Sequence, residues 1–351
     1  SKWIAVYGTV DELTPFQYIL NKITTDLSLI DQEQLRQQME NEMPGFKHIK
    51  RLYQDIDDMT PQQIAAGHVE RITEQSVKNA LNEGPHIVSL SGHGTWYNCC
   101  YINCPLADSL TNGNRTFIVY ADSCSTNELD SDALSEHLLR NPNGGAVAYI
   151  GNTRYSWIGI GDDFQRQFFK RWSDLGGNAH LGLLNDTRAQ YINDKALYWG
   201  SSRWAVLSLN LMGDPEMPLW WREPLIFDLP EVHPIDIDED KIELNIDLPV
   251  PPVPPPKLIY RKNWGVTHIH LQQGEHEQVL IANPDGKIDD SLTDFEAGAA
   301  ILTVTRPGYK PIVKQVDLSE LKPKRPIGIL ASLALIFLSL LGTLLLARTR
   351  F

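Results

Sequence analysis

Residues 86–94 read HIVSLSGHG, and residues 116–126 read TFIVYADSCST. In each, a run of apolar and β-branched residues too short for a helix of ordinary length ends abruptly in small, turn-forming residues. That is the mark of a strand buried on both faces. A third run, Ala146-Val147-Ala148-Tyr149-Ile150, opens in the same way into Gly151-Asn152-Thr153-Arg154-Tyr155-Ser156-Trp157. Working outward, strands are predicted at Trp3–Tyr7 and Phe46–Tyr53. Helices are predicted at Thr14–Glu42 with a possible break, Pro61–Asn82, Asp132–Arg140, Asp163–Leu175 and Arg203–Met212. The helix at Pro61 is the best marked, with Thr60 as N-cap, proline at the first helical position and Gly84 just past the end. Strands alternating with helices predict an α/β fold, a mainly parallel sheet flanked by helices, over residues 1–225.

In such sheets the chemistry collects where strands end and the chain leaves the core. His93 stands between two glycines just past the first run, and Cys124 stands just past the second. One strand–connection–strand excursion separates them, so both can reach one rim. A thiol becomes a strong nucleophile when an imidazole takes its proton, and the same imidazole can then protonate a leaving amine. The amides of Gly94 and Cys124 are candidate donors for the oxyanion that develops. The aromatic residues after the third run can build a wall beside the pair.

These strings together resemble the gingipain-type cysteine peptidases, which share the fold of caspases, legumains and separases. HIVSLSGHG, IVYADSC followed by a helix, GGAVAYIGNTRYSW and GDPEMPLW (Gly213–Trp220) occur in that family's order. The resemblance covers roughly residues 1–225. It implies His93 as general base and acid, Cys124 as nucleophile, the Gly94 and Cys124 amides as oxyanion hole, and Trp157 as lining of the pocket for the residue before the cleaved bond. Gingipains also carry an acid near the histidine, and the arginine-specific type an acid at the base of the specificity pocket. Asp55, Asp57 and Asp58 lie at the right end of the sheet, as do Asp122 and Asp162, and the last two are assigned to the substrate pocket. A preference for basic substrates follows as an expectation.

Beyond the α/β region the composition changes. Residues 226–256 are acidic and then proline-rich, with Pro249-Val250-Pro251-Pro252-Val253-Pro254-Pro255-Pro256 favouring an extended spacer or crossover. The acidic stretch Asp236–Asp240 lacks calcium-loop spacing and reads, with Ile242, Leu244 and Ile246, as a half-buried strand. Short apolar runs at Val279–Ile281 and Ala300–Val304, broken by turn signals, predict a small all-β, immunoglobulin-like domain at 257–320. The uncharged run IGILASLALIFLSLLGTLLLA at 327–347 would extend roughly 30 Å as a helix, the thickness of a bilayer core. It predicts a single-pass C-terminal transmembrane anchor to the lipid bilayer. Exported relatives make an extracytoplasmic catalytic domain the expectation.

With a formal net charge of −13 and a pI of about 5.2, the chain offers no broad basic surface, and a nucleic-acid partner is excluded. Four cysteines in 351 residues are too few for a disulfide-stapled scaffold. His93, Cys99, Cys100 and Cys104 raise the question of zinc, but adjacent cysteines do not give the usual paired spacing, so no metal or other cofactor is expected. A disulfide involving Cys104 is expected instead in an oxidising compartment. The reading is therefore a membrane-anchored cysteine endopeptidase acting on protein or peptide substrates. Its rival is a peptidase-shaped adhesin or membrane receptor without turnover, which fold alone does not exclude.

Overall fold

The computed structural model describes residues 2–8, 15–46, 48–54, 56–175, 179–196, 200–221, 226, 234–235, 243–244, 267–282, 295–296, 298–306 and 309–318. They fall into two compact units, one built from the chain up to Ile226 and the other containing the later β-strands.

In the first unit the elements run β1 (Lys2–Gly8), α1 (Pro15–Glu42), β2 (His48–Tyr53), α2 (Pro61–Ala65), β3 (Val69–Arg71), α3 (Glu74–Asn82) and β4 (Ile87–Gly92). A small hairpin, β5 (Asn98–Cys99) with β6 (Ile102–Asn103), leads into α4 (Cys104–Asp108). Then come β7 (Phe117–Asp122), α5 (Leu134–Arg140), β8 (Ala146–Asn152), α6 (Gly161–Leu175), α7 (Leu183–Tyr191), α8 (Gly200–Ser208) and β9 (Leu209–Met212). Seven strands form one sheet in the order β3-β2-β1-β4-β7-β8-β9, parallel throughout except for β9, which runs antiparallel to β8. The strand order reverses direction between β1 and β4, the place where open α/β sheets leave a crevice.

The continuous apolar character of β4 and β7 has its reason in this layering. On β7, Ile118 and Tyr120 face a core shared with Leu35 and Met39 of α1 and with Phe164, Phe168, Phe169 and Trp172 of α6. Phe117, Val119 and Ala121 face the other core, with Val77 and Leu81 of α3, Leu106 of α4 and Leu134 and Leu138 of α5. Both faces of the strand are therefore covered. Fully buried Trp172 packs edge-on to Phe46 and donates its indole N–H to the Leu219 carbonyl at 3.3 Å, so that the segment Gly213–Trp220 closes this side.

Two predicted helices are corrected. Pro61–Asn82 is not one helix but α2, the edge strand β3 and α3. The buried Arg51 guanidinium takes the carbonyls of Gln63 at 2.6 Å and Gly67 at 3.0 Å, diverting them from helix continuation. Gly67 then turns with φ of 134°. Thr60 caps α2 as predicted, and Thr73 caps α3 with its own capping box. Arg203–Met212 likewise divides. The Ser208 carbonyl accepts the Thr153 N–H at 2.8 Å, and Leu209–Met212 becomes the edge strand β9. The predicted Thr14–Glu42 helix runs unbroken from Pro15 to Glu42.

The second unit holds a two-stranded piece, β10 (Pro234–Ile235) with β11 (Glu243–Leu244), and a four-stranded antiparallel sheet. Its strands are β12 (Thr267–Gln273), β13 (His276–Ala282), β14 (Ala299–Thr305) and β15 (Ile312–Asp317), in the order β13-β12-β14-β15. Ile269, Leu271, Leu280, Ala300, Leu302 and Val304 are buried while Ile281 and Ile301 are exposed, the alternation of a sheet packed on one face. The Pro-rich stretch 249–256, the acidic residues 236–240 and the apolar run 327–347 lie outside the described residues. Among the described residues, no helix is long and apolar enough to cross a membrane.

Candidate active site

β4 and β7 are parallel neighbours with Ser91 opposite Asp122. His93 and Cys124 each stand two residues past that pair, and adjacent strands are about 4.8 Å apart, so the two residues leave the sheet side by side at its carboxyl edge. The following residues are in contact. A Cβ built on Gly94 would fall 2.1 Å from Ser123 Oγ, 2.9 Å from Thr126 Cγ2 and 3.1 Å from the Cys124 carbonyl oxygen. Only glycine permits so close an approach of the histidine loop to the cysteine loop. Gly94 also bridges to Cys99 in antiparallel fashion, which ties the histidine loop to the β5–β6 hairpin.

The cysteine turn is held from several directions. Ser125, immediately after the thiol, has φ of 54°, a left-handed conformation that non-glycine residues adopt only where the surroundings enforce it. Its N–H donates to the Arg154 carbonyl at 2.8 Å, and the Asn127 N–H donates to the Asn152 carbonyl at 3.1 Å. Buried Asn152 gives its amide N–H to the Ser123 carbonyl at 3.1 Å and accepts the Ser208 hydroxyl at 3.1 Å. Asn127 reaches the Asn210 carbonyl at 3.2 Å. The edge strand β9 thus braces the loop that presents Cys124. Sequence reading missed Asn127, Asn152 and Ser208. The one signal for them was an asparagine where an apolar strand ends.

Cys124 is partly buried, and its Sγ accepts the Ser156 N–H at 3.3 Å. Burial raises the pKa of this thiol above its usual value, the Ser156 amide opposes the rise, and the Asp122 carboxylate adds to it. His93 lies exposed at the rim, and partial desolvation of the ring lowers its pKa. The two shifts favour a neutral thiol and a neutral imidazole, and a neutral imidazole is the form able to accept a proton.

The predicted pocket residues separate by exposure. Trp157 is 51% exposed and Tyr155 is exposed too, both on the loop whose Ser156 touches Cys124. The indole N–H of Trp204 donates to the Tyr155 carbonyl at 2.8 Å, which ties this loop to α8. Asp122 accepts the Ser156 hydroxyl of the same loop at 2.7 Å. Burial, with Asp162 and Asp31 nearby, pushes its pKa up to about 7. Asp162, on α6, is buried and ion-paired with Arg166 at 2.9 Å. Of the acids past β2, Asp57 pairs with Arg71 at 2.7 Å, and Asp55 and the Asp58 side chain lie outside the described residues.

The remaining thiols are buried. Cys99 and Cys100 bring their sulfurs within 3.1 Å, and Cys104 donates to the Tyr97 carbonyl at 3.3 Å. Cys104 was expected in a disulfide and is instead a free thiol, its pKa raised to about 11 by burial and nearby carboxylates. Among the described residues no group of three or more His, Cys, Asp or Glu side chains is placed to hold a metal ion.

A sequence profile of Peptidase family C25 matches residues 7–220. No curated protein matches the chain in sequence. Among solved structures, the crystal structure of the Arg-specific cysteine proteinase gingipain R (RGPB) is 15% identical, with a TM-score of 0.62 over 90% of this chain and 66% of that one. The complex of Porphyromonas gingivalis RgpB pro- and mature domains is 14% identical, with a TM-score of 0.62 over 90% of this chain and 68% of that one. A structure described as a protease is 12% identical, with a TM-score of 0.61 over 90% of this chain and 66% of that one. At these identities the likeness is one of fold, and this chain spans about two thirds of the length of those structures.

Proposed function

The chain belongs to peptidase family C25, a family of cysteine peptidases, and we propose that it hydrolyses peptide bonds with Cys124 as nucleophile and His93 as general base and acid. The observation that carries this reading is the contact of Gly94 with the Ser123–Cys124 turn at the carboxyl edge of β4 and β7. His93 takes the thiol proton as Sγ attacks the scissile carbonyl carbon, and the developing oxyanion receives the N–H groups of Gly94 and Cys124. Collapse breaks the C–N bond while the imidazolium returns its proton to the leaving amine. Water, deprotonated by the same ring, then cleaves the thioester and frees the second product.

Trp157 supplies an apolar wall for the side chain preceding the cleaved bond. Asp122 and Asp162 underlie that wall, and Arg166 already neutralises Asp162, so a basic substrate side chain would compete with Arg166 for the same carboxylate. Residues 1–225 are taken as the catalytic domain, 226–256 as linker or first strands, and 257–320 as an immunoglobulin-like domain. The run 327–347, by its length and lack of charge, is taken as an anchor holding an extracytoplasmic enzyme at a bilayer. The test is hydrolysis of a peptide library by the purified protein and by Cys124→Ala. Cleavage by the parent alone supports the reading. Equal cleavage by both, or none by either, removes it, and the latter result favours an adhesin or receptor.

A further inference from the structure

Ser156 makes two hydrogen bonds in opposite directions. Its backbone N–H points at Cys124 Sγ from 3.3 Å, and its hydroxyl donates to Asp122 Oδ1 at 2.7 Å. The Ser156 carbonyl also lies 3.9 Å from Sγ, so the thiol has an acceptor when protonated and a donor when ionised. Asp122 cannot drift from this arrangement. Gly161, the first residue of α6, packs so tightly on it that a Cβ there would lie 2.0 Å from Oδ1 and 2.7 Å from Oδ2. A carboxylate fixed by the sheet and by α6 thereby holds a loop residue whose amide is aimed at the sulfur.

We propose that Asp122 and Ser156 are positioning residues that set the acidity of the Cys124 thiol: the carboxylate anchors the Ser156 hydroxyl, and the anchored residue presents its N–H to the sulfur. The inference rests on the reading of Cys124 as nucleophile, since only there does thiol acidity matter to the reaction. An N–H donor stabilises a thiolate, whereas a carboxylate nearby destabilises it. The two residues therefore act with opposite signs on the same atom. The other titratable or charged groups that bear on this pair are Asp162 and Arg166 of α6, Asp31 of α1, Tyr120 of β7 and Cys99 of the hairpin. None of these is altered in the variants below.

The experiment is the pH dependence of Cys124 alkylation by iodoacetamide, read by mass spectrometry of the peptide that contains it. In Ser156→Ala the anchor is lost while the carboxylate stays. The midpoint should rise by about one pH unit, so that alkylation below the midpoint slows about tenfold. Ser156→Thr keeps the hydroxyl and should restore the parent midpoint. Asp122→Asn keeps an oxygen that accepts from Ser156 but removes the charge, so its midpoint should fall. An unchanged or lowered midpoint in Ser156→Ala, or an unchanged or raised one in Asp122→Asn, overturns the proposal. Should Ser156→Ala lose its fold, seen as alkylation of buried Cys99, Asp122→Asn decides alone: a fall supports the proposal, and no change or a rise overturns it. Turnover is not read in this assay, so a failure of peptide hydrolysis sinks the peptidase reading and leaves the midpoints to judge this one.

Discussion

Replacing Gly94 by alanine tests the contact on which the site is built. The added Cβ would fall 2.1 Å from Ser123 Oγ, 2.9 Å from Thr126 Cγ2 and 3.1 Å from the Cys124 carbonyl oxygen, and real Cβ atoms essentially never come as close as the first two. Ser123 and Thr126 are buried and have little room to withdraw, so the histidine and cysteine loops must separate. Overpacking of this kind costs about 1–3 kcal/mol in stability. The larger effect falls on catalysis, because the displaced amide is one of two proposed oxyanion donors. Loss of one such donor lowers kcat by roughly 10²–10³. Steady-state kinetics should therefore show a kcat loss in that range with KM much less changed, together with a lowered midpoint of urea unfolding. Ser123→Ala in the Gly94→Ala background removes the 2.1 Å clash but leaves the contacts with Thr126 and Cys124, so it should recover most of the stability and only part of kcat. Parental kcat in Gly94→Ala would show that the two loops are not packed as described.

Further outcomes follow from the same structure. Glu33 is buried between Arg51 and Arg36, each at 3.0 Å, and accepts the Tyr53 hydroxyl at 2.9 Å, so Glu33→Ala leaves a buried guanidinium uncompensated. It should cost about 3–5 kcal/mol in chemical denaturation. Trp172→Ala, at the centre of the aromatic cluster on α6, should cost about 3–5 kcal/mol by the same measurement. Asp122, whose pKa of about 7 lies above the ordinary carboxylate value, binds its proton more tightly folded than unfolded. Its contribution is complete below about pH 4 and declines as pH rises toward 7. The stability of Asp122→Asn relative to the parent should accordingly improve over that window, and a constant difference would refute the assignment. Removing residues 327–351 should release the protein from the carbonate-washed membrane fraction. Retention would reject the proposed anchor.

Much of the parallel sheet was legible because β4 and β7 are buried on both faces and β8 is buried on both apart from Val147, and burial of that kind leaves uninterrupted apolar runs in the sequence. The strand-end positions of His93 and Cys124 followed from where those runs stop. Edge strands gave no such signal. β3 is three residues of Val69-Glu70-Arg71, and it pairs with β2, whose Arg51 also draws off the carbonyls of Gln63 and Gly67. β9 continues a helical pattern and becomes a strand only because β8 offers it a free edge. The supports of the site were hidden for the same reason. Asn127, Asn152 and Ser208 are polar residues whose meaning depends on partners brought together by folding. Asp122 and Asp162 were placed at the correct end of the sheet, but the partnership of one with Ser156 and the other with Arg166 is visible only in three dimensions.

The central claim is that the Cys124 sulfur attacks with the His93 ring as its base. A peptidyl acyloxymethyl ketone, which traps an enzyme thiolate covalently, tests it when labelling is mapped by mass in the parent, His93→Ala and Cys124→Ala. The account predicts one adduct per chain on Cys124 in the parent, at least a hundredfold slower labelling in His93→Ala, as expected when the base of a nucleophile pair is removed, and none in Cys124→Ala. An adduct on another residue, or equal rates with and without the imidazole, would contradict it.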